Sequence, residues 1–258
     1  MAKILAITNQ KGGVGKTTTS INLAASLVAT KRRVLLVDLD PQGNATMGSG
    51  VSKNELDRIA FDVLTGESSI DDVRITTMNG GYDLVPANAD LTAAEVLLLQ
   101  MDNKEVRLKS ALQQIQDQYD YILIDCPPAL NMLTVNALAA ADAVMIPMQC
   151  EYYALEGLTA LLDTINKIRA SINPNLQIEG LLRTMFDPRN KLASDVSQQL
   201  TDHFGGKVYR TVIPRNVRLA EAPSHGMPVL AYDKSSKGAQ CYLALAGEML
   251  RNEEAAIA

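Results

Sequence analysis

Residues 11–18 read Lys-Gly-Gly-Val-Gly-Lys-Thr-Thr. Closely spaced glycines let successive backbone N–H groups turn inward onto an anion. A helix starting directly behind them adds the positive end of its dipole. In such a cradle Lys16 would neutralise outer phosphates and the Thr17 hydroxyl would ligate Mg²⁺. Gly12, Gly13, Val14, Gly15 and Thr18 would complete the nucleotide contacts. An apolar run at 4–7 precedes the loop and a helical pattern at 20–29 follows it. Strand, loop and helix in this register argue against a tight turn with chance glycines.

One position departs from the general pattern G-x-x-x-x-G-K-[ST]. Where that pattern has its first glycine, this chain has Gln10, followed by a second lysine, Lys11. Phosphates already served by Lys16 do not need it. Lys11 is either a solvated surface lysine or a charge supplied to a nucleotide in a neighbouring subunit.

Three carboxylates fit the same edge. Ligands of open α/β sheets bind beyond the carboxyl ends of the strands. Asp38 and Asp40 close the strand candidate 34–38, and Asp125 closes 121–125. Asp38 and Asp40, two apart, face the same side while the chain stays extended.

These residues need a scaffold, and the rest of the chain reads as one. Strand candidates lie at 3–8, 34–38, 82–86, 121–125, 143–147, 178–184, 208–213 and 229–231. Helical patterns lie at 17–29, 93–100, 106–116, 134–140, 155–170, 194–204 and 238–252. Residues 48–55 and 78–81 read as loops. This rhythm predicts an α/β fold with a doubly wound, mostly parallel sheet flanked by helices. No linker interrupts it, so residues 1–258 are expected to form a single P-loop domain. Of the 258 residues, 47% are hydrophobic, enough for a large core. No apolar run approaches the roughly 20 residues of a membrane span, and the first strand begins too early for a signal peptide. The three cysteines lack metal-ligand spacing and read as reduced cytosolic thiols. Two isolated histidines do not suggest a zinc site.

The net charge of −5 argues against a uniformly basic nucleic-acid binder. Charge is uneven, however. Residues 183–237 hold nine basic and five acidic side chains, giving +4 there and −9 elsewhere. A local basic surface on an acidic body is therefore expected.

Lys11-Gly12-Gly13-Val14-Gly15-Lys16-Thr17 resembles the deviant Walker A motif of the ParA/MinD ATPases. The likeness continues through Leu36-Val37-Asp38-Leu39-Asp40-Pro41-Gln42-Gly43-Asn44 and Ile122-Leu123-Ile124-Asp125-Cys126-Pro127-Pro128. Gln149-Cys150-Glu151-Tyr152-Tyr153-Ala154-Leu155-Glu156-Gly157 and Val212-Ile213-Pro214-Arg215-Asn216-Val217-Arg218 resemble the chromosomal ParA (Soj) branch in particular.

The resemblance implies an ATPase that uses Mg²⁺. Lys11, Lys16 and Asp40 would be its catalytic residues, with Asp40 orienting the attacking water. Asp125 resembles the Walker B acid, holding the metal through a water beside Thr17, with Asp38 as a further candidate. Pro214 and Asn216 would flank the adenine. Lys11 would reach across an ATP-dependent homodimer to the partner's phosphates. Arg189, Arg218, Arg215, Lys234 and Lys237 would bind double-stranded DNA without sequence preference, by phosphate neutralisation. A ParB-type centromere-binding protein would stimulate slow hydrolysis and release the dimer. The implied location is cytoplasmic and nucleoid-associated.

Three other readings share the loop. A MinD-like membrane-associated regulator would end in a basic amphipathic helix, whereas residues 250–258 are acidic and sparse in apolar side chains. A nitrogenase-type iron protein would need more cluster cysteines than Cys126. A small-molecule kinase or ligase would not share the 151–157 and 214–218 segments. With the first strand starting at residue 3, no helix-turn-helix is expected before it, nor site-specific operator binding.

Overall fold

The computed structural model describes the backbone of residues 1–257 and the side chains of residues 1–255. Of the acidic end at 250–258, Ala258 and the side chains of the two residues before it lie outside the described residues. Seven strands form one sheet: β1 (Lys3–Ile7), β2 (Val34–Asp38), β3 (Ile75–Thr76), β4 (Asp83–Val85), β5 (Tyr121–Asp125), β6 (Ala143–Met148) and β7 (Gln177–Arg183). Their order is β3-β4-β2-β5-β1-β6-β7. All pairings are parallel except β3 with β4. The expected doubly wound α/β architecture is what forms.

Alternate strand residues feed two separate cores. Ile4, Ala6, Leu35, Val37, Ile122 and Ile124 face one layer, which includes the helices Met132–Ala140 and Ala154–Ser171. Leu5, Ile7, Leu36, Leu123 and Met145 face the other, built on α1 (Lys16–Ala29) and the helix Lys237–Ile257. Both faces being covered explains why these strands are apolar without alternation. Within the described residues no helix is long and apolar enough to cross a membrane.

Two strand expectations fail. Residues 208–213 make only one isolated bridge, Val208 to Leu181. The backbone N–H groups of Arg210 and Thr211 instead donate to Glu248 of the last helix, at 2.7 and 2.9 Å. Side-chain capture of the backbone replaces a ladder. Residues 229–231 lie in the short helix Val229–Tyr232, whose first N–H donates to Asn22 Oδ1 at 2.7 Å. A three-residue apolar run carries no period that could separate the two states. The expected loop at 48–55 is preceded by a helical turn, Asn44–Gly48, and two further short helices occupy Ala60–Thr65 and Ile70–Val73.

A buried amide locks one helical layer together. Asn136 accepts the Leu108 N–H at 3.1 Å and donates to the carbonyls of Lys104 and Met132 at 2.7 and 3.0 Å. Asn136→Ala would strand buried backbone groups and is expected to cost about 2 kcal/mol. Urea unfolding should show the loss, with nucleotide affinity of the folded protein unchanged.

Candidate functional site

The loop between β1 and α1 takes its shape from two left-handed glycines, Gly13 at φ 74° and Gly15 at φ 86°. Side chains residues would strain at such angles. Two anchors hold it against the sheet. Asn9 donates to the Pro147 carbonyl at 2.9 Å and accepts the Lys11 N–H at 3.0 Å. Thr184 donates to the Val14 carbonyl at 2.7 Å. The loop is thus tied to both β6 and the end of β7. Lys16 is buried, its ammonium donating to the Lys11 carbonyl at 3.2 Å. Burial pulls its pKa down, against the opposing pull of Asp125, Cys126 and Asp40.

The carboxylates divide in a way the strand pattern did not indicate. β2 ends at Asp38, and its Oδ1 accepts the Asp40 N–H at 3.1 Å. This local turn breaks the extended run, so the two acids do not share one face. Asp38 Oδ2 accepts both the backbone N–H and the hydroxyl of Thr46, each at 2.8 Å. The structure places Asp38 fully buried behind the loop, its oxygens already engaged, while Asp40 lines the open cleft.

Asp125 stands opposite Asp38 in the β2–β5 register. Its Oδ1 accepts the Ser20 hydroxyl at 2.8 Å, and its buried Oδ2 has no partner among the described residues. Burial pushes its pKa up to about 8, helped by the Asp38 charge and opposed by the Thr17 and Ser20 hydroxyls. Burial likewise raises Asp38, to about 6. An orphaned buried carboxylate oxygen beside Thr17 fits a hydrated divalent cation. No cluster of three or more His, Cys, Asp or Glu suited to a metal occurs among the described residues. A cation here would therefore need oxygens from its ligand or water.

The cleft has two parts. A polar part of about 630 Å³ lies over Gly12, Gly13, Lys16 and Thr17 and is closed by Asp40, Gln42, Glu95 and Asn131. A largely apolar part of about 380 Å³ is walled by Ile213, Pro214, Asn216 and Tyr242. Gly15, Thr18 and Met185 border both. A charged group over the loop and a flat apolar group beside it would fit together. Asn216 also caps the helix Val217–Glu221, accepting the Leu219 N–H at 3.3 Å.

Sequence reasoning missed Asn9, Thr184 and Met185. Met185 holds φ 49°, rare for a non-glycine residue, where it joins the two parts. No local signal marks these residues, because their roles come from β6 and β7 lying beside β1.

Lys11 does not line the cleft above its own loop; its ammonium meets Glu151 Oε2 at 2.5 Å. The basic candidates are all exposed, but two carry acids of their own. Arg189 pairs with Asp187 at 2.8 Å. Arg218 pairs with Glu221 at 2.7 Å and Asp233 at 3.4 Å. Arg215 and Asp187 border one small cavity, which brings the 189 loop beside the 215–218 segment. Lys234 directly follows Asp233, and Lys237 opens the last helix. Arg183, counted in the basic stretch, is turned inward onto Ser197 and the Tyr209 carbonyl. All three cysteines are free thiols.

A family model described as an AAA domain matches residues 2–178. The chain is 52% identical to the sporulation initiation inhibitor protein Soj of Bacillus subtilis, over 98% of this chain and all of that one. It is equally identical, at 52%, to the chromosome partitioning protein ParA of Caulobacter vibrioides, over 97% of this chain and 95% of that one. The chain belongs to the ParA/Soj family of partitioning ATPases. Its fold also matches a crystal structure of cobyrinic acid a,c-diamide synthase from Mycobacterium smegmatis with bound ATP analog and magnesium. That match has a TM-score of 0.86 and 37% identity, covering 98% of this chain and 96% of that one. As a ParA/Soj member, the chain combines the family's loop with the two-part cleft described above.

The buried acids predict how this ParA/Soj protein responds to pH without ligand. The Asp125 pKa is raised above its ordinary 3.8, so the folded chain holds more protons than the unfolded one between about pH 4 and pH 8. Stability contributed by the protonated acid is therefore lost as pH rises through that window. The melting temperature of the nucleotide-free protein should fall from pH 5 to pH 8. Asp125→Asn should flatten this slope and raise the melting temperature at pH 8; an equally steep slope in the variant would contradict the assignment.

Proposed function

We propose that this chain is a partitioning ATPase whose Mg²⁺-ATP form dimerises face to face and, as a dimer, binds DNA without sequence preference. The observation that carries the reading is the contrast between two lysines. Lys16 lies inside the phosphate cleft, whereas Lys11 points out of it and pairs with Glu151 at the surface, from where a second subunit could draw it.

In this reading the backbone N–H groups from Gly12 to Thr18 hold the phosphates and Lys16 offsets their outer charge. Nucleotide phosphates add to the pull of Asp125 and Asp40 on Lys16, which alone does not offset its burial. Thr17 and the free oxygen of Asp125, the latter through a water, hold Mg²⁺, which supplies charge neutralisation at the transferred phosphoryl group. Asp40, at the open edge, orients the attacking water. Asp38 supports the loop that carries Asp40 and does not ligate the metal directly. Phosphoryl transfer asks mainly for such positioning and charge compensation. Pro214 and Asn216 contact the adenine. All of this resides in one domain spanning the chain.

Lys11 is then a cation supplied in trans, which makes the dimer depend on ATP. Arg189, Arg215, Arg218, Lys234 and Lys237 form the DNA surface. Dimerisation presents two such surfaces to one duplex and raises avidity without new contacts. The partner is a ParB-type protein that speeds a slow hydrolysis and frees the dimer from the nucleoid in the cytoplasm. The 52% identity to Soj and to ParA disfavours the MinD-like membrane alternative. The higher identity to Soj and ParA than to the diamide synthase weighs against a small-molecule ligase.

A Cβ built on Gly12 meets nothing within 4 Å in the single subunit. Gly12→Val should therefore leave nucleotide binding intact yet block close approach of two loops. Size-exclusion chromatography with Mg²⁺-ATP is expected to give a monomer peak for the variant; a normal dimer peak would refute the face-to-face arrangement.

DNA binding measured with no nucleotide, ADP, ATP and a non-hydrolysable analogue tests the reading as a whole. Retention of random duplex should appear only with the triphosphates and fade steeply with salt. Arg189→Glu and Arg218→Glu should each weaken retention at least tenfold at low salt while ATP binding survives. Equal retention in all nucleotide states would reject the proposal.

A further inference from the structure

We infer that Glu151 is a positioning residue for Lys11: in the lone subunit it holds the lysine's ammonium to the side, and each subunit must break this ion pair to dimerise. The inference rests on the trans role of Lys11 proposed above.

The backbone of Lys11 has little freedom to choose. Its N–H is held by Asn9 Oδ1 and its carbonyl receives the Lys16 ammonium. Where Lys11 acts is therefore decided by its side chain. Glu151 is its only acidic partner within 4 Å among the described residues, and their contact spans 140 positions of sequence. Glu151 is itself fixed: its N–H donates to the Gln149 carbonyl at 2.9 Å and its carbonyl accepts the Ala154 N–H at 3.0 Å. It thus sits at the entrance to the helix Ala154–Ser171, on a hydrogen-bonded turn.

The pair is built to be broken. Lys11 and Glu151 side chains are 44% and 49% exposed, so water competes for both partners. Exposed pairs of this kind shift an equilibrium by only roughly 1.4- to 5-fold each. A partner's triphosphate offers several negative charges in place of one carboxylate and takes the lysine. Glu151 therefore sets a threshold: without a loaded partner, the ammonium stays parked beside its own loop. Two pairs break per dimer, so removing them should tighten dimerisation by roughly 2- to 30-fold.

Sedimentation velocity with Mg²⁺ and a non-hydrolysable ATP analogue tests this on the full chain. Glu151→Gln is expected to lower the dimer dissociation constant by that factor, with the analogue affinity of the monomer unchanged and the melting temperature lowered by no more than about 4 °C. Glu151→Asp keeps the charge but shortens the reach, and should tighten the dimer too. On a Lys11→Gln background, adding Glu151→Gln should change nothing. Unchanged or weaker dimerisation of Glu151→Gln, beside normal loss of dimer in Lys11→Gln, overturns this inference alone. Tightening by Gln but not by Asp would assign the effect to net charge and also overturn it. Wild-type dimerisation by Lys11→Gln would remove the trans lysine itself, and this inference with it.

Discussion

Ionisable groups buried at the end of a parallel sheet are the constraint on which this molecule depends. Lys16, Asp38 and Asp125 are nearly or wholly removed from water at the carboxyl edge of β1, β2 and β5. Each loses hydration, and no pairing within the chain restores it in full. Lys16 rests on a carbonyl, and Asp125 keeps one oxygen unpartnered. Buried charge is tolerated when something compensates it. A polyanion and a divalent cation are complementary to that deficit, the first to the ammonium and loop N–H groups, the second to the carboxylate. Instability of the empty site and affinity for a charged ligand thus have one origin.

The surrounding structure keeps that deficit from collapsing. Asn9 and Thr184 hold the loop open from β6 and the end of β7. Thr46 occupies Asp38 from behind. The acids therefore differ in what engages them, although all three sit at or just beyond strand ends. Asp38 is held by Thr46, Asp125 is half satisfied, and Asp40 faces the cleft.

Asn216 links the cleft to the surface. It borders the apolar part of the cleft and caps the short helix that carries Arg218. One side chain thus stands between the apolar part of the cleft and the orientation of an exposed cation. The pairing of Arg218 with Glu221 and Asp233 lowers the positive potential of that surface in the isolated chain. Any polyanion approaching it competes with these acids, which makes the interaction sensitive to salt.

Much of this was legible from local pattern. Glycine spacing followed by Lys-Thr specifies a phosphate loop because backbone geometry and a helix start act over a few residues. Apolar runs without alternation specify a two-sided sheet because both faces must be covered. Tertiary structure alone decided the rest. The split between Asp38 and Asp40 begins in a local turn, but the burial of Asp38 is completed by Thr46, in a helical turn the pattern did not reveal. The loss of the strand at 208–213 depends on Glu248 in the last helix. The anchors Asn9 and Thr184, and the partner of Lys11, depend on which strands lie beside β1. A hydrogen bond between residues 138 or more positions apart leaves no local trace, because only the packed sheet brings its ends together.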